Sequence, residues 1–345
     1  MPCKNKQCLV DKGGKCVEGF SNPAECPRYA NASQPTEEES SGDAPEAAAP
    51  VDTAPEEDEE GAIEERELAL SSGAPLDLRQ AGTRMRATGA HLVAIVGATG
   101  SGKTTLVSSI YDLLGRKEAP KGFEFVSSDC LSAFESLCHL ARAASGRVVP
   151  DTEHTSHRIG LTFLHLGLLS PSSLEPVHVL FSDRSGEDYQ AAMNDRDHCK
   201  DLIELGYANT ILLLIDAEKL KNRAHRNATL AQARLMVESW VDADLIQKTH
   251  RLVIALTKLD LIKAAEDEQK ILESFDQCVD NIRERLGSRF GQVSSVKVAS
   301  RPIRETVPAG TGLKEVLDVC CSEPIVLAHE MGEISSPDRT FLQYR

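Results

Sequence analysis

The chain has 345 residues, of which 26% are charged and 4% aromatic, and a formal net charge of −15. That length holds one large domain with additions, or two domains. Its apolar runs, such as "NTILLLID" and "RIGLTFLHLGLL", are strand-length and fall well short of the roughly eighteen residues a membrane span requires. The opening "MPCKNKQCLV" has no apolar segment of the secretory kind, so a cytoplasmic protein is expected.

Cys3, Cys8, Cys16 and Cys26 fall within the first 26 residues, among Gly, Pro, Lys and Asn, with too few apolar neighbours for a core. A tetrahedral zinc site made of these four thiolates would supply the missing folding energy. The intervals of four, seven and nine residues depart from the familiar C-x2-C knuckle, so a reactive or disulfide-linked tail and a disordered tail stay open as alternatives. Residues 1–30 are read as this metal-binding head. From Asn31 to Glu67, fourteen Asp or Glu face the single basic Arg66, which leaves −13 of the net charge in one stretch rich in Ala, Pro and Ser. Such a composition buries too little apolar surface to offset chain entropy, so 31–88 is expected to be a disordered acidic linker. The remainder is nearly neutral and gives no evidence for a nucleic-acid surface.

Structured periodicity begins at Leu92–Val96, a short aliphatic run of the kind found in buried parallel strands. Gly97 to Thr104 fits G-x-x-x-x-G-K-[ST], and apolar positions Leu106, Val107, Ile110, Leu113 and Leu114 recur at helical spacing. Strand, glycine loop and helix aim backbone N–H groups and the positive helix end at a phosphate. Lys103 then neutralises the outer phosphates and Thr104 offers a hydroxyl to Mg2+. The phosphate-binding set is Gly97, Ala98, Thr99, Gly100, Ser101, Gly102, Lys103, Thr104 and Thr105.

Downstream, "GFEFVSS" reads as a strand and "LSAFESLCHLARAA" as a helix, followed by a polar connector. "RIGLTFLHLGLL" and "EPVHVLFSD" read as adjacent strands, Asp188–Leu205 as a helix, and Asn209–Asp216 as an apolar strand. Arg226 to about Lys248 is expected to be helical with Leu230, Ala233, Val237 and Trp240 on one face. "HRLVIALTKLD" is a strand and loop, Ala264–Leu286 a helix, "VSSVKVAS" a strand and "GLKEVLDVCC" the last helix. Alternating strands and helices predict a doubly wound, mostly parallel α/β sheet over residues 89–322, with ligand at the carboxyl ends of the strands and a tail over 323–345. Cys130, Cys138, Cys199, Cys278, Cys320 and Cys321 are expected to be free thiols, and His154, His157, His165 and His178 loop or strand-face residues.

Three further segments sit at predicted strand ends. "DRSGEDY" holds D-x-x-G, in which Asp183 can hold a magnesium water and the Gly186 N–H can meet a γ-phosphate. "TKLD" places Thr257, Lys258 and Asp260, whose carboxylate can accept from the guanine N1–H and exocyclic amine, a pair adenine does not offer. "ASR" (Ala299, Ser300, Arg301) closes the next strand, where a backbone N–H near Ser300 can meet the guanine carbonyl.

In order and residues, "GATGSGKT", "DRSGEDY", "TKLD" and "ASR" resemble the TRAFAC-class P-loop GTPases, a Ras-like fold. The stretch "FESLCHLARAASGRVVPDTEHTSHRIGLTFLHLGL", with the Cys-bearing head, is closer to a bacterial group described as double-GTPase domain proteins of the second type. This resemblance implies a GTP- and GDP-binding, Mg2+-dependent switch or assembly GTPase with an unidentified protein partner, a second GTPase or a second copy of itself. It implies the second switch at Asp183 and Gly186 and a first-switch, metal-holding threonine at Thr155 or Thr152, with Thr155 favoured. Two positions depart from the pattern. Thr257 replaces the commoner Asn, which leaves its bracing role open. Glu187 replaces the water-positioning Gln, which implies slow unaided turnover. A P-loop ATPase or nucleotide kinase, and a non-hydrolysing GTP-binding scaffold, are the competing readings.

Overall fold

A computed structural model describes residues 71–116, 120, 122–139, 160–171, 173–193, 195–263, 265–303 and 306–327. Cys3, Cys8, Cys16, Cys26, the acidic run, Thr152, Thr155, His154 and His157 lie outside the described residues.

The element at the centre is β1 (His91–Gly97), buried along its whole length. It leads through the glycine loop into α2 (Lys103–Gly115), whose Leu106, Val107, Ile110, Leu113 and Leu114 are all buried, as their spacing requires. The edge strand β2 (Glu124–Ser127) precedes α3 (Leu131–His139). Next come β3 (Thr162–Leu169) and β4 (Val177–Asp183), then three short helices, α4 (Gly186–Ala192), α5 (Arg196–Lys200) and α6 (Ile203–Tyr207). β5 (Thr210–Asp216) is followed by α7 (Ala217–Lys221) and α8 (Arg223–Asp242). β6 (Arg251–Thr257), a 3-10 turn (Leu259–Leu261), α9 (Glu268–Leu286), β7 (Gln292–Lys297) and α10 (Leu313–Cys320) complete the order.

The seven strands form one sheet in the order β2-β3-β4-β1-β5-β6-β7. β4, β1, β5, β6 and β7 run parallel, while β3 pairs antiparallel with both β2 and β4. Each face of the sheet carries its own core. One gathers Ile110, Phe134, Leu166, Leu313 and Leu317; the other gathers Tyr189, Val237, Trp240, Phe275 and Ile282. Burial on both faces explains why β1, β5 and β6 read as unbroken apolar runs rather than alternating ones. The six cysteines outside the head are free thiols, five of them buried. Among the described residues no helix is long and apolar enough to cross a membrane.

Two expectations change. The acidic linker does not run to Thr88, because the last residues of that span belong to the fold. Leu76 makes a bridge to Phe163 through two backbone hydrogen bonds, and α1 (Leu78–Thr88) follows. The helix starts where Asp77 accepts from the Gln80 N–H at 2.8 Å while the Gln80 side chain accepts from the Asp77 N–H at 2.9 Å, and it stops at Gly89 with φ 64°. Arg84 then grips the Asp129 carboxylate with two nitrogens. The single helix expected over Asp188–Leu205 is instead α4, α5 and α6. Asp195 restarts the chain as an N-cap, its carboxylate accepting from the N–H groups of Asp197 and His198 at 2.9 and 3.3 Å.

Candidate functional site

The parallel strands β4, β1, β5 and β6 end at one rim, and the sequence-derived site residues that are described gather there. The loop after β1 turns tightly, with the Ser101 N–H donating to the Ala98 carbonyl at 3.0 Å. Gly100 and Gly102 adopt φ of 78° and 92°, which a side chain would strain, and Gly102 delivers the chain into the first turn of α2. Lys103 opens that helix and folds back so that Nζ donates to the Gly97 carbonyl at 3.1 Å. Burial pushes the Lys103 ammonium down to about 8, against the opposing pull of Asp183 and Asp188, and Lys219 lowers it further.

The D-x-x-G turn touches this loop directly. A Cβ on Gly186 would fall 2.7 Å from the Ala98 carbonyl carbon and closer still to the Thr99 nitrogen, so only glycine fits. Ser185 caps the turn by accepting from the Glu187 N–H at 3.3 Å. Asp183 ends β4 beside Lys103, whereas Glu187 is exposed in the first turn of α4. The segment is anchored behind by Arg184, which pairs with Glu204 at 2.8 and 3.1 Å. The Tyr189 hydroxyl donates to the same carboxylate at 2.9 Å, and both Glu204 and Tyr189 are fully buried.

At the other end of the rim, Thr257 links β6 to the glycine loop. Its hydroxyl donates to the Ser101 carbonyl at 2.8 Å, with the Ile215 carbonyl 3.2 Å away. Lys258 adopts φ 56°, a left-handed backbone uncommon outside glycine and typical of constrained functional loops. Its Nζ pairs with Asp216 at 2.8 Å and Glu218 at 3.2 Å. Burial alone would lower the Lys258 ammonium, but the two carboxylates outweigh it and hold it above its ordinary value. Asp260 is 3% exposed and accepts from the Ile303 N–H at 3.0 Å. The Ala299 N–H is taken by the Thr311 carbonyl, and the Ser300 carbonyl accepts from Gly310 at 3.3 Å. Arg301 turns away from this loop into the protein, where burial lowers its guanidinium and Cys138 and Asp112 are the opposing neighbours.

The arrangement suits a nucleoside triphosphate with a divalent ion. The loop keeps its backbone bare, Gly97 and Gly186 by lack of space and Gly100 and Gly102 by positive φ, Lys103 is desolvated with its Nζ on the loop, and the carboxylate of Asp183 and hydroxyl of Thr104 are hard oxygen donors of the kind magnesium takes. Four contributors are not apparent in the sequence: Asp188, Asp216, Lys219 and the Arg184–Glu204 pair. Only Asp216 carries a signal, its position at the carboxyl end of an apolar strand.

Three comparisons bear on this site. A family model described as Double-GTPase 2 matches residues 91–320. No curated protein matches the chain. Among solved structures, the signal recognition particle receptor SRb-GTP/SRX complex from Chaetomium thermophilum is similar at 15% identity and TM-score 0.38, over 66% of this chain and 95% of that one. Translation elongation factor SelB from Methanococcus maripaludis, in complex with the GTP analogue GppNHp, is similar at 13% identity and TM-score 0.37, over 69% of this chain and 35% of that one.

Proposed function

The chain belongs to the Double-GTPase 2 family, and from that premise we propose that it is a magnesium-dependent GTPase that changes state between GTP and GDP to recruit or release a protein partner. The observation that carries this reading is the seating of Gly186 on the Ala98–Thr99 backbone, beside the desolvated Lys103. It ties the D-x-x-G turn to the phosphate loop, which supports a reading in which the Gly186 N–H meets the γ-phosphate.

In this reading the backbone N–H groups from Thr99 to Thr104 bind the phosphates, and Lys103 balances their charge. Thr104 and Asp183 would hold the magnesium, joined by Thr155 or Thr152 from outside the described residues, and a bound ion would supply positive charge at the outer phosphate oxygens. Asp260 reads the guanine N1–H and amine, Lys258 flanks the base, and Ser300 or Arg301 presents the N–H for its carbonyl, since that of Ala299 is already used. Thr257 holds the base loop and the phosphate loop in register by its bond to Ser101. Glu187 accepts from the attacking water without donating to the transition state, which keeps unaided turnover slow. The protein works in the cytoplasm, and Cys3, Cys8, Cys16 and Cys26 hold one zinc ion in a head that recruits the partner.

Titration calorimetry of the purified chain with GTP, GDP, ATP and XTP, with and without Mg2+, tests the central claim. Micromolar or tighter GTP binding that needs Mg2+ and exceeds ATP binding is expected. A preference for ATP overturns the guanine assignment.

A further inference from the structure

β5 runs parallel to β1, and its last residues emerge at the same rim as the glycine loop. Asp216 ends the strand, accepts from the Glu218 N–H at 2.9 Å to start α7, and pairs with Lys258. Glu218, the acid next in line, also pairs with Lys258. Lys219 is thereby left without a carboxylate and makes no ion pair among the described residues. It is exposed, and its Nζ lies 3.5 Å from the carbonyl of Thr99. Thr99 is the residue on whose amide Gly186 is seated. Two lysines thus converge on one loop, each with its Nζ on a backbone carbonyl, Gly97 for Lys103 and Thr99 for Lys219, and an anion entering between them would be attracted by both.

We infer that Lys219 is a built-in catalytic cation: its ammonium swings from the Thr99 carbonyl onto the γ-phosphoryl oxygens of bound GTP and stabilises the charge that develops as the phosphoryl group is transferred to water. The inference rests on the GTPase reading above. In the reaction the water oxygen bonds to the γ-phosphorus, the bond from that phosphorus to the β–γ bridging oxygen breaks, GDP leaves with the electron pair, and the proton of the water goes to the released phosphate. Lys219 gives up no proton. It supplies in cis the positive charge that many GTPases receive from an arginine of a second protein. An ammonium has one compact charge in place of a planar fork, so the acceleration is smaller than that of an inserted arginine.

The test compares wild type with Lys219→Ala, Lys219→Arg and Lys221→Ala. Lys221 lies on the same short helix, is exposed, and has no part in the site. Two quantities are read without any partner protein: the single-turnover GTP hydrolysis rate, and the affinity for GDP with Mg2+ and aluminium fluoride, a mimic of the transferring phosphoryl group. Lys219→Ala is expected to slow hydrolysis by at least ~10-fold and to abolish the aluminium fluoride enhancement of GDP binding, while GTP affinity changes less than about threefold. Lys219→Arg is expected to keep both, and Lys221→Ala to match wild type. A purely structural capping of the Thr99 carbonyl would leave the aluminium fluoride complex intact, and that result overturns the inference. So does an equal fall in Lys221→Ala, or failure of wild type to form the complex while binding GTP. If wild type binds no GTP at all, the GTPase reading falls first and the role of Lys219 with it.

Discussion

The two ends of the site are made of different materials. The phosphate end is backbone: Gly186 sits on the Gly97–Thr99 backbone with no room for a Cβ, Gly97 is closed in by Ser101 and Leu214, and Gly100 and Gly102 hold a positive φ that a side chain would strain. The base end is side chain: Lys258 held by Asp216 and Glu218, Asp260 by the Ile303 N–H, and Thr257 bonded across to Ser101. A backbone cradle recognises what all triphosphates share and admits little adjustment. A side-chain pocket recognises one base and can be retuned by single substitutions. Specificity should therefore fail gradually at one end and binding abruptly at the other.

Lys103→Ala gives the largest effect. Removal of the half-buried Lys103 charge is expected to weaken GTP binding by at least about 100-fold while circular dichroism stays normal, because charge-assisted phosphate contacts are among the strongest polar contacts. Retained micromolar affinity would show that the cradle binds by its amides alone. Asp260→Asn is expected to exchange bases and keep the phosphates, with GTP weakened and XTP strengthened by about 100-fold each, the worth of two hydrogen bonds to a charged acceptor. An unchanged GTP to XTP ratio in competition binding would remove Asp260 from base recognition. Thr257→Val keeps the shape of the side chain and deletes the one hydroxyl that connects the two ends. A buried hydrogen bond is worth about 1 kcal/mol, so GTP should bind roughly fivefold more weakly and the bound protein should melt slightly earlier. If guanosine binding alone suffers, the bond serves only the base loop.

The pH dependence separates the ends without mutation. Lys103 is held at about 8 in the free protein by burial, and a bound triphosphate raises it again. Binding therefore takes up a proton above that pH, so GTP affinity is full below pH 8 and falls by up to about tenfold per unit as pH rises beyond it. Calorimetry in buffers of different ionisation enthalpy measures the proton uptake directly, and its absence about one unit above that value would contradict the buried-charge account. The smallest effect belongs to Glu187→Gln. Exposed at the start of α4, Glu187 is not part of the cradle, and the substitution should leave GTP affinity unchanged and the basal rate equal or slightly higher. A collapse of that rate would identify Glu187 as a working general base.

The phosphate loop, the buried strands and the order of the motifs are legible in the sequence because each depends on local pattern: an apolar run, a glycine spacing, a strand end. Helices α8 and α9 are legible for the same reason: Ala233, Val237, Trp240, Ile271, Phe275, Val279 and Ile282 are buried where their periodicity puts them, while Leu230 and Leu286 on the same faces are half-buried. What stays hidden depends on partners distant in sequence. Helix α1 lies at the end of an acidic stretch and joins the fold through Leu76 on Phe163 and Arg84 on Asp129, contacts that no local pattern encodes. The break of the 188–205 helix comes from the Asp195 cap, legible in "NDRD" only once the chain is known to turn there. Lys219 looks like any solvated lysine, and its position follows from where β5 ends relative to β1.

The Arg184–Glu204–Tyr189 cluster limits how the D-x-x-G turn could travel in the proposed switch. Separating Arg184 from Glu204 would strand a fully buried carboxylate, a penalty of about 3–5 kcal/mol, comparable to much of a domain's net stability. The loop after Asp183 is accordingly riveted to the Glu204 segment downstream, and the two move as one plate. A displacement begun at Gly186 would be delivered to α5 and α6, where Cys199 donates to the Ser239 carbonyl of α8 at 3.6 Å. In the proposed switch, the outward sign of the nucleotide state would be a shift of that unit along α8, a surface well removed from the phosphate that drives it.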